Sequence, residues 1–359
     1  MSFAIGMTVL LAGLISLTIG GVMRSHAHRF GLEDRPGGHK AHGRVVPLGG
    51  GVGIFLGVAL PLLGGVIVHM AAGDTLARWL GYGEFSAGLS ARTAQALGIL
   101  AATAALHLMG LIDDRKPLGP WRKLLVQIIC AAIVVIGCKV RVLTLAGEIP
   151  SIVITMVWIV ALTNSFNFLD NMDGLAGGVG LVCAIALAVV AGLMGQWFVL
   201  AMVCLLAGAV AGFLPHNLAP AKLFMGDAGS LVMGFWLACC SCLVTYVREG
   251  NELPVGWLIP LCIMAVPIYD TLSVFYLRWR RGESIMVGDR RHFSHRLLKR
   301  GLSVRQAAAT IYLATAVCCS GAVILACAAS VLVAGVVGVQ IAAVLILIGM
   351  LEAIWKIED

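Results

Sequence analysis

The sequence has 359 residues, 60% of them hydrophobic and 12% charged, with a formal net charge of +7. Soluble domains are nearer half apolar and a quarter charged, so a water-soluble core is excluded and a polytopic membrane protein is expected. In that setting the excess of Lys and Arg is read as topology and not as a nucleic-acid surface.

The first apolar run, 3–23, has no Lys or Arg before it, unlike a cleaved signal peptide, and is expected to remain as a transmembrane helix. The polar stretch DRPGGHKAHGR (34–44) leads to a second run, 48–70. Runs 94–112 and 122–138 flank DDRKPLGPWRK (113–123). Run 149–165 ends in NSFNFLDNMDG (164–174), where three asparagines, two aspartates and a glycine interrupt the apolar pattern. Runs 174–193 and 196–214 are nearly continuous. FMGDAGS (224–230) opens run 229–247, and run 255–277 ends on Arg278, Arg280 and Arg281. GDRRHFSHR (288–296) precedes runs 307–328 and 331–351. The expected fold is an all-α polytopic membrane protein of about eleven transmembrane helices, one domain over residues 1–359, with no strand. The eleven cysteines lie inside apolar runs and read as small buried hydrophobes.

An odd number of spans puts the termini on opposite sides. With the N-terminus outside, the outer segments hold only Arg78, Arg92, Lys139, Arg141 and Arg248, leaving 20 of the 25 Lys and Arg inside. That bias orients the N-terminus outward and the C-terminus into the cytoplasm. The dense polar clusters then all fall on the cytoplasmic side. A secondary transporter of an anionic substrate, the alternative class, would more often hold its polar site at mid-bilayer depth in broken helices. A non-catalytic scaffold would leave the clusters without a reason.

Asp113 and Asp114 alone read as a solvated helix end. Asp170, Asp173, Asp227 and Asp270 change that reading, since each is expected at a cytoplasmic helix end, where ionisable groups point to function. Carboxylates and asparagine amides are hard oxygen ligands suited to Mg²⁺ or Mn²⁺, and Mg²⁺ commonly completes its shell with substrate phosphates. Lys40, Lys123, Arg290, Arg291 and Arg296, interleaved with His42, His292 and His295, suit a phosphate-rich substrate or, more blandly, anionic headgroups. Zinc is disfavoured because the histidines have no third soft ligand nearby. Gly49–Gly53 read as close helix packing, and Gly226 as a functional turn or packing.

Taken in order, DRPGGHKAH followed by Pro47 and GG, the Asp113–Asp114 pair with Lys123, NSFNFLDNMDG, MGDAGS, HFSHR and, more weakly, PIYDT (267–271) resemble the polyprenyl-phosphate N-acetylhexosamine-1-phosphate transferases. The resemblance spans residues 34–296 and implies eleven transmembrane helices, a cytoplasmic active site in the bacterial inner membrane, and Mg²⁺ or Mn²⁺. The implied reaction is attack of undecaprenyl (polyprenyl) phosphate on the β-phosphorus of a UDP-N-acetylhexosamine, giving a polyprenyl-diphospho-sugar and UMP and starting a cell-envelope glycan. Asp227 matches the family's metal-binding aspartate and Asn167 an asparagine beside metal and diphosphate. Asp113 and Asp114 match an essential pair, the first a proposed base. Lys40, His42, Lys123, Asn164, Asp170, Asp173, His292, His295 and Arg296 are the implied substrate-binding set. The partners implied are donor, lipid acceptor and bilayer, with no nucleic acid; a homodimer is compatible. HFSHR replaces the three histidines or HxHH of many relatives, and PLGGG also departs from the peptidoglycan-translocase branch. Both departures favour UDP-GlcNAc or a near relative as donor.

Overall fold

The computed structural model describes residues 2–34, 45–79, 86–246, 255–283, 292–328 and 330–353. In hydrocarbon every peptide N–H and C=O must be bonded within the protein, and an apolar run does this by coiling into a helix. The helices are α1 (Ser2–His26), α2 (Gly50–Trp79), α3 (Ser86–Arg115), α4 (Pro120–Ala132), α5 (Glu148–Leu169), α6 (Leu175–Leu193) and α7 (Trp197–Asn217). They continue as α8 (Asp227–Leu243), α9 (Leu258–Ile263), α10 (Ala265–Arg280), α11 (Phe293–Lys299), α12 (Val304–Cys327) and α13 (Val331–Ala353). Among the described residues nine segments are long and apolar enough to cross a bilayer: α1 to α7, α12 and α13, with α4 prolonged by a π-helical turn, Ile133–Gly137. The expected runs 229–247 and 255–277 are the two that behave differently.

The run expected as one straight helix at 255–277 is broken: α9 and α10 meet at an angle of 71°. Pro267 explains the break. It has no N–H for the carbonyl of Ile263, four residues earlier, and its ring clashes there. The freed carbonyl accepts instead from the thiols of Cys183 in α6 (3.2 Å) and Cys319 in α12 (3.8 Å). The cysteines otherwise behave as expected: all eleven are free and nine are buried.

The other exception, α8, has 17 residues, or about 25 Å of helix against a hydrocarbon core of about 30 Å. It faces protein all round, since every residue from Ala228 to Cys242 is buried. Packing, not water exclusion, holds such a helix in a bilayer, and packing needs close approach. A Cβ on Gly51 of α2 would lie 2.4 Å from the Gly229 nitrogen, and one on Gly110 of α3 2.4 Å from the Ala228 nitrogen. This agrees with the packing role expected for the Gly49–Gly53 run.

A short antiparallel ribbon, not expected from the sequence, pairs β1 (Glu33–Asp34) with β2 (Val46–Pro47). Its exit is lashed to the segment before α8: Phe224 N donates to Pro47 O (2.9 Å), Gly50 N to Phe224 O (2.9 Å) and Gly51 N to Met225 O (3.0 Å). These bonds fix the approach to Asp227. The ends of α3 and α5 and the starts of α4, α6 and α8 meet beside it.

Candidate active site

Asp227 opens α8. Gly226 before it has φ +71° and offers no side-chain cap. The cap comes from α3: Asp114 accepts from Asp227 N (2.8 Å) and Ala228 N (3.2 Å), one amide per carboxylate oxygen. A carboxylate is well placed at a helix N-terminus, where free amides and the dipole favour negative charge. Gly226 is required on two counts, its left-handed backbone and the fact that a Cβ would sit 2.5 Å from Asp114 Oδ2. The turn and the close-packing readings of Gly226 both hold. His107 braces the same turn from behind, donating from Nδ1 to Ala228 O (2.9 Å) while stacked on Phe55.

The side chain of Asp227 is gripped from two sides. Lys123 Nζ bonds Asp227 Oδ2 and also Asp113 Oδ2 (3.2 Å). Asn167 Nδ2 donates to Asp227 Oδ1 and to Ser230 Oγ, each at 2.9 Å. Asp113 Oδ1 accepts from Leu118 N (2.8 Å), so Asp113 shapes the α3–α4 turn as well as pairing with Lys123. Asp113, Lys123, Asn167 and Asp227 therefore form one connected set, with Asp114 supporting it from the backbone side.

Asp170 lies just beyond α5. Burial, and then the negative charges of Asp227, Asp114 and Asp173, push its carboxyl up to about 8, against the pull of the Gly226 amide. With Asp113, five acidic groups thus share this region with a single described ammonium partner, Lys123, which pairs with Asp113 and Asp227. The other polar residues of NSFNFLDNMDG bond within the protein. Asp173 Oδ2 accepts from Ala221 N (2.8 Å). Gly174, φ +75°, starts α6 as expected; its N–H donates to Asn217 Oδ1 (3.1 Å) and its carbonyl accepts from Tyr312 Oη (2.5 Å). Asn164 exchanges amide bonds with Gln127 of α4 (2.5 and 3.3 Å) and lies one turn away from Asn167.

The HFSHR segment reaches this region through four hydrogen bonds. His292 Nδ1 and Phe293 N bond the two oxygens of Asp270, each at 2.8 Å. Ser294 Oγ donates to Asn171 Oδ1 (2.6 Å) and Arg296 Nη2 to Ser273 Oγ (2.8 Å). His295 is carried on α11. Lys40, His42, Arg290 and Arg291 lie outside the described residues. Ser230, Gln127, Ser294 and the structural use of Asn171 were missed. Ser230 alone had a visible signal, as the last residue of GDAGS.

A cleft of about 600 Å³ opens between α4, α5 and α10. Asp113, Lys123, Asn164 and Asn167 form its polar end, and Leu124, Phe168, Ile268, Leu272 and Phe275 line the rest. Among the described residues no three His, Cys, Asp or Glu side chains form a ready metal cage. What the cluster offers is two carboxylates and an amide, a partial set of the kind Mg²⁺ completes with phosphate and water.

A family model and three relatives bear on this arrangement. The model of glycosyl transferase family 4 matches residues 96–245. The chain is 32% identical to a decaprenyl-phosphate N-acetylglucosaminephosphotransferase of Mycolicibacterium smegmatis, over 87% of this chain and 80% of that one. It is 30% identical to a probable undecaprenyl-phosphate N-acetylglucosaminyl 1-phosphate transferase of Bacillus subtilis (84% and 79%). It is also 30% identical to an undecaprenyl-phosphate alpha-N-acetylglucosaminyl 1-phosphate transferase of Yersinia pestis (84% and 79%).

Proposed function

Because the chain belongs to the polyprenyl-phosphate N-acetylhexosamine-1-phosphate transferases of glycosyl transferase family 4, we propose that it moves N-acetylglucosamine 1-phosphate from UDP-GlcNAc to undecaprenyl phosphate. An oxygen of the lipid phosphate attacks the β-phosphorus, the bond to UMP breaks, and a diphosphate-linked lipid sugar results. The observation that carries this reading is the pairing of an apolar cleft with a carboxylate–lysine–amide cluster at its end. A polyprenyl chain suits the first and two phosphorylated reactants the second.

Lys123, which lines the cleft and bonds Asp227, is the group best able to hold the transferred phosphate. Asp227 and Asn167 would hold a divalent cation. The fit is good: the donors are hard oxygens, and an ammonium already bridges two of the carboxylates, so the position tolerates positive charge. A divalent cation held there would supply neutralisation of the diphosphate and of the departing UMP. Asp113 holds Lys123 and has little work as a base, since the second ionisation of a phosphate monoester falls near pH ~6. Asp114 acts through Asp227, and Asp173 through the turn at Ala221. We read the whole chain as one membrane domain of a bacterial inner membrane, with the site facing the cytoplasm, as the Lys and Arg bias supports.

The test is UMP release from UDP-GlcNAc by membranes bearing the protein, with undecaprenyl phosphate and Mg²⁺. Asp227→Asn should lower it by at least about 10²-fold while a thermal melt shows a folded protein. Full activity in that variant would overturn the metal assignment.

A further inference from the structure

Asp270 is 1% exposed, and both its oxygens serve the start of the HFSHR segment. A carboxylate only accepts, so the Nδ1 of His292 carries the proton, and Nε2 is the nitrogen left to act. Among the described residues nothing bonds that Nε2. The ring lies 6.3 Å from the ring of Phe168, which lines the cleft next to Asn167. Thr271, adjacent to Asp270, lines the cleft too. The imidazole is thus fixed from behind by a buried carboxylate and lies beside Phe168, a residue of the cleft wall. In its charged form both nitrogens donate, Nδ1 to Asp270 and Nε2 outward to a phosphate oxygen.

We propose that Asp270 is a positioning residue for the transfer: it holds the Nδ1–H of His292 and turns Nε2 toward the diphosphate of the sugar nucleotide. Asp270 touches no substrate itself. The inference rests on the transferase reading above and deepens it. An arrangement of this type, a carboxylate behind an acting imidazole, costs about 10- to 100-fold when the carboxylate is removed from metal-bound histidines.

A double-mutant cycle tests it. Asp270→Asn retains an acceptor for Phe293 N but loses the carboxylate, and His292→Gln removes the imidazole. Each should lower kcat for UMP release by about 10-fold or more, with the donor KM changed far less. In the double variant the Asp270 change should add nothing to the loss already caused by His292→Gln. Losses that multiply would mean Asp270 acts independently of His292, and would overturn the proposal. If Asp270→Asn does not fold, ¹⁵N-histidine NMR of the parent decides, with His292 assigned by its absence in His292→Gln. A neutral His292 bearing its proton on Nε2 would overturn the proposal whatever the kinetics. If the folded parent releases no UMP from any UDP-sugar, the transferase reading fails, and the tautomer still reports separately on the Asp270–His292 pair.

Discussion

Asp170 is where side-chain chemistry translates most directly into a measurable pH effect. Its folded carboxyl titrates at about 8, whereas an unfolded aspartate titrates near ~3.9. Between those values the folded protein holds a proton that the unfolded chain has released. The stability associated with that proton is complete below about pH 4 and is progressively lost as pH rises to about 8. In chelator-treated, detergent-solubilised protein, Asp170→Asn should therefore melt higher than the parent, by a margin that widens from pH 5 to 8 and then levels off. A margin independent of pH would show that the Asp170 carboxyl is not raised by its burial among the other carboxylates. The sequence made the membership of this cluster legible, because hard ligands and a lysine recur at helix ends. It did not make the division of labour legible. Asp113 and Asp114 are adjacent and chemically identical, yet one pairs with Lys123 and the other caps α8. Only the direction from which α8 arrives separates them.

At the scale of elements, hydropathy locates spans well because a bilayer demands about 20 apolar residues. It is blind to a bend inside a run that stays apolar throughout. PIYDT reads as a motif in the sequence, while its proline is also the cause of the 71° break between α9 and α10. The break matters to the site because α10 carries Asp270, Thr271 and Ser273, which hold the HFSHR segment or line the cleft. Pro267→Ala restores an N–H that can reach the Ile263 carbonyl, in competition with the thiols of Cys183 and Cys319. The variant should keep or gain thermal stability while UMP release falls about tenfold, a reorientation effect of the size positioning contributes to catalysis. Unchanged turnover would mean that neighbouring helices, and not the proline, set the angle. The ribbon of β1 and β2 escaped notice for a different reason: two-residue strands carry no alternation to read, and their pairing depends on where Phe224 lies.

The molecule as a whole shows one end knitted by hydrogen bonds between loops distant in sequence. Arg115 Nε donates to Phe30 O (2.9 Å), Arg305 Nε to Ala219 O (2.9 Å), and Phe224 ties to Pro47. The other end is tied by separate contacts, such as Gln95 Nε2 to Cys138 O (2.9 Å) and Arg141 Nη1 to Glu148 Oε1 (2.9 Å). Chain geometry thus divides the loops into two sets without reference to charge. The Lys and Arg count divides them in the same way, since Arg92, Lys139 and Arg141 belong to the sparse set and Lys116, Lys123 and Lys222 to the dense one. The orientation expected from sequence rests on which loops are basic, not on how helices touch. Labelling in intact cells with a membrane-impermeant maleimide checks it against the parent, whose cysteines are mostly buried. Lys139→Cys should label from outside. Lys222→Cys, an exposed position beside the Asp173–Ala221 contact, should label only after the membrane is opened. The reverse pattern would put the carboxylate cluster on the face away from cytoplasmic nucleotide sugars, and the proposed donor would then have no access to it.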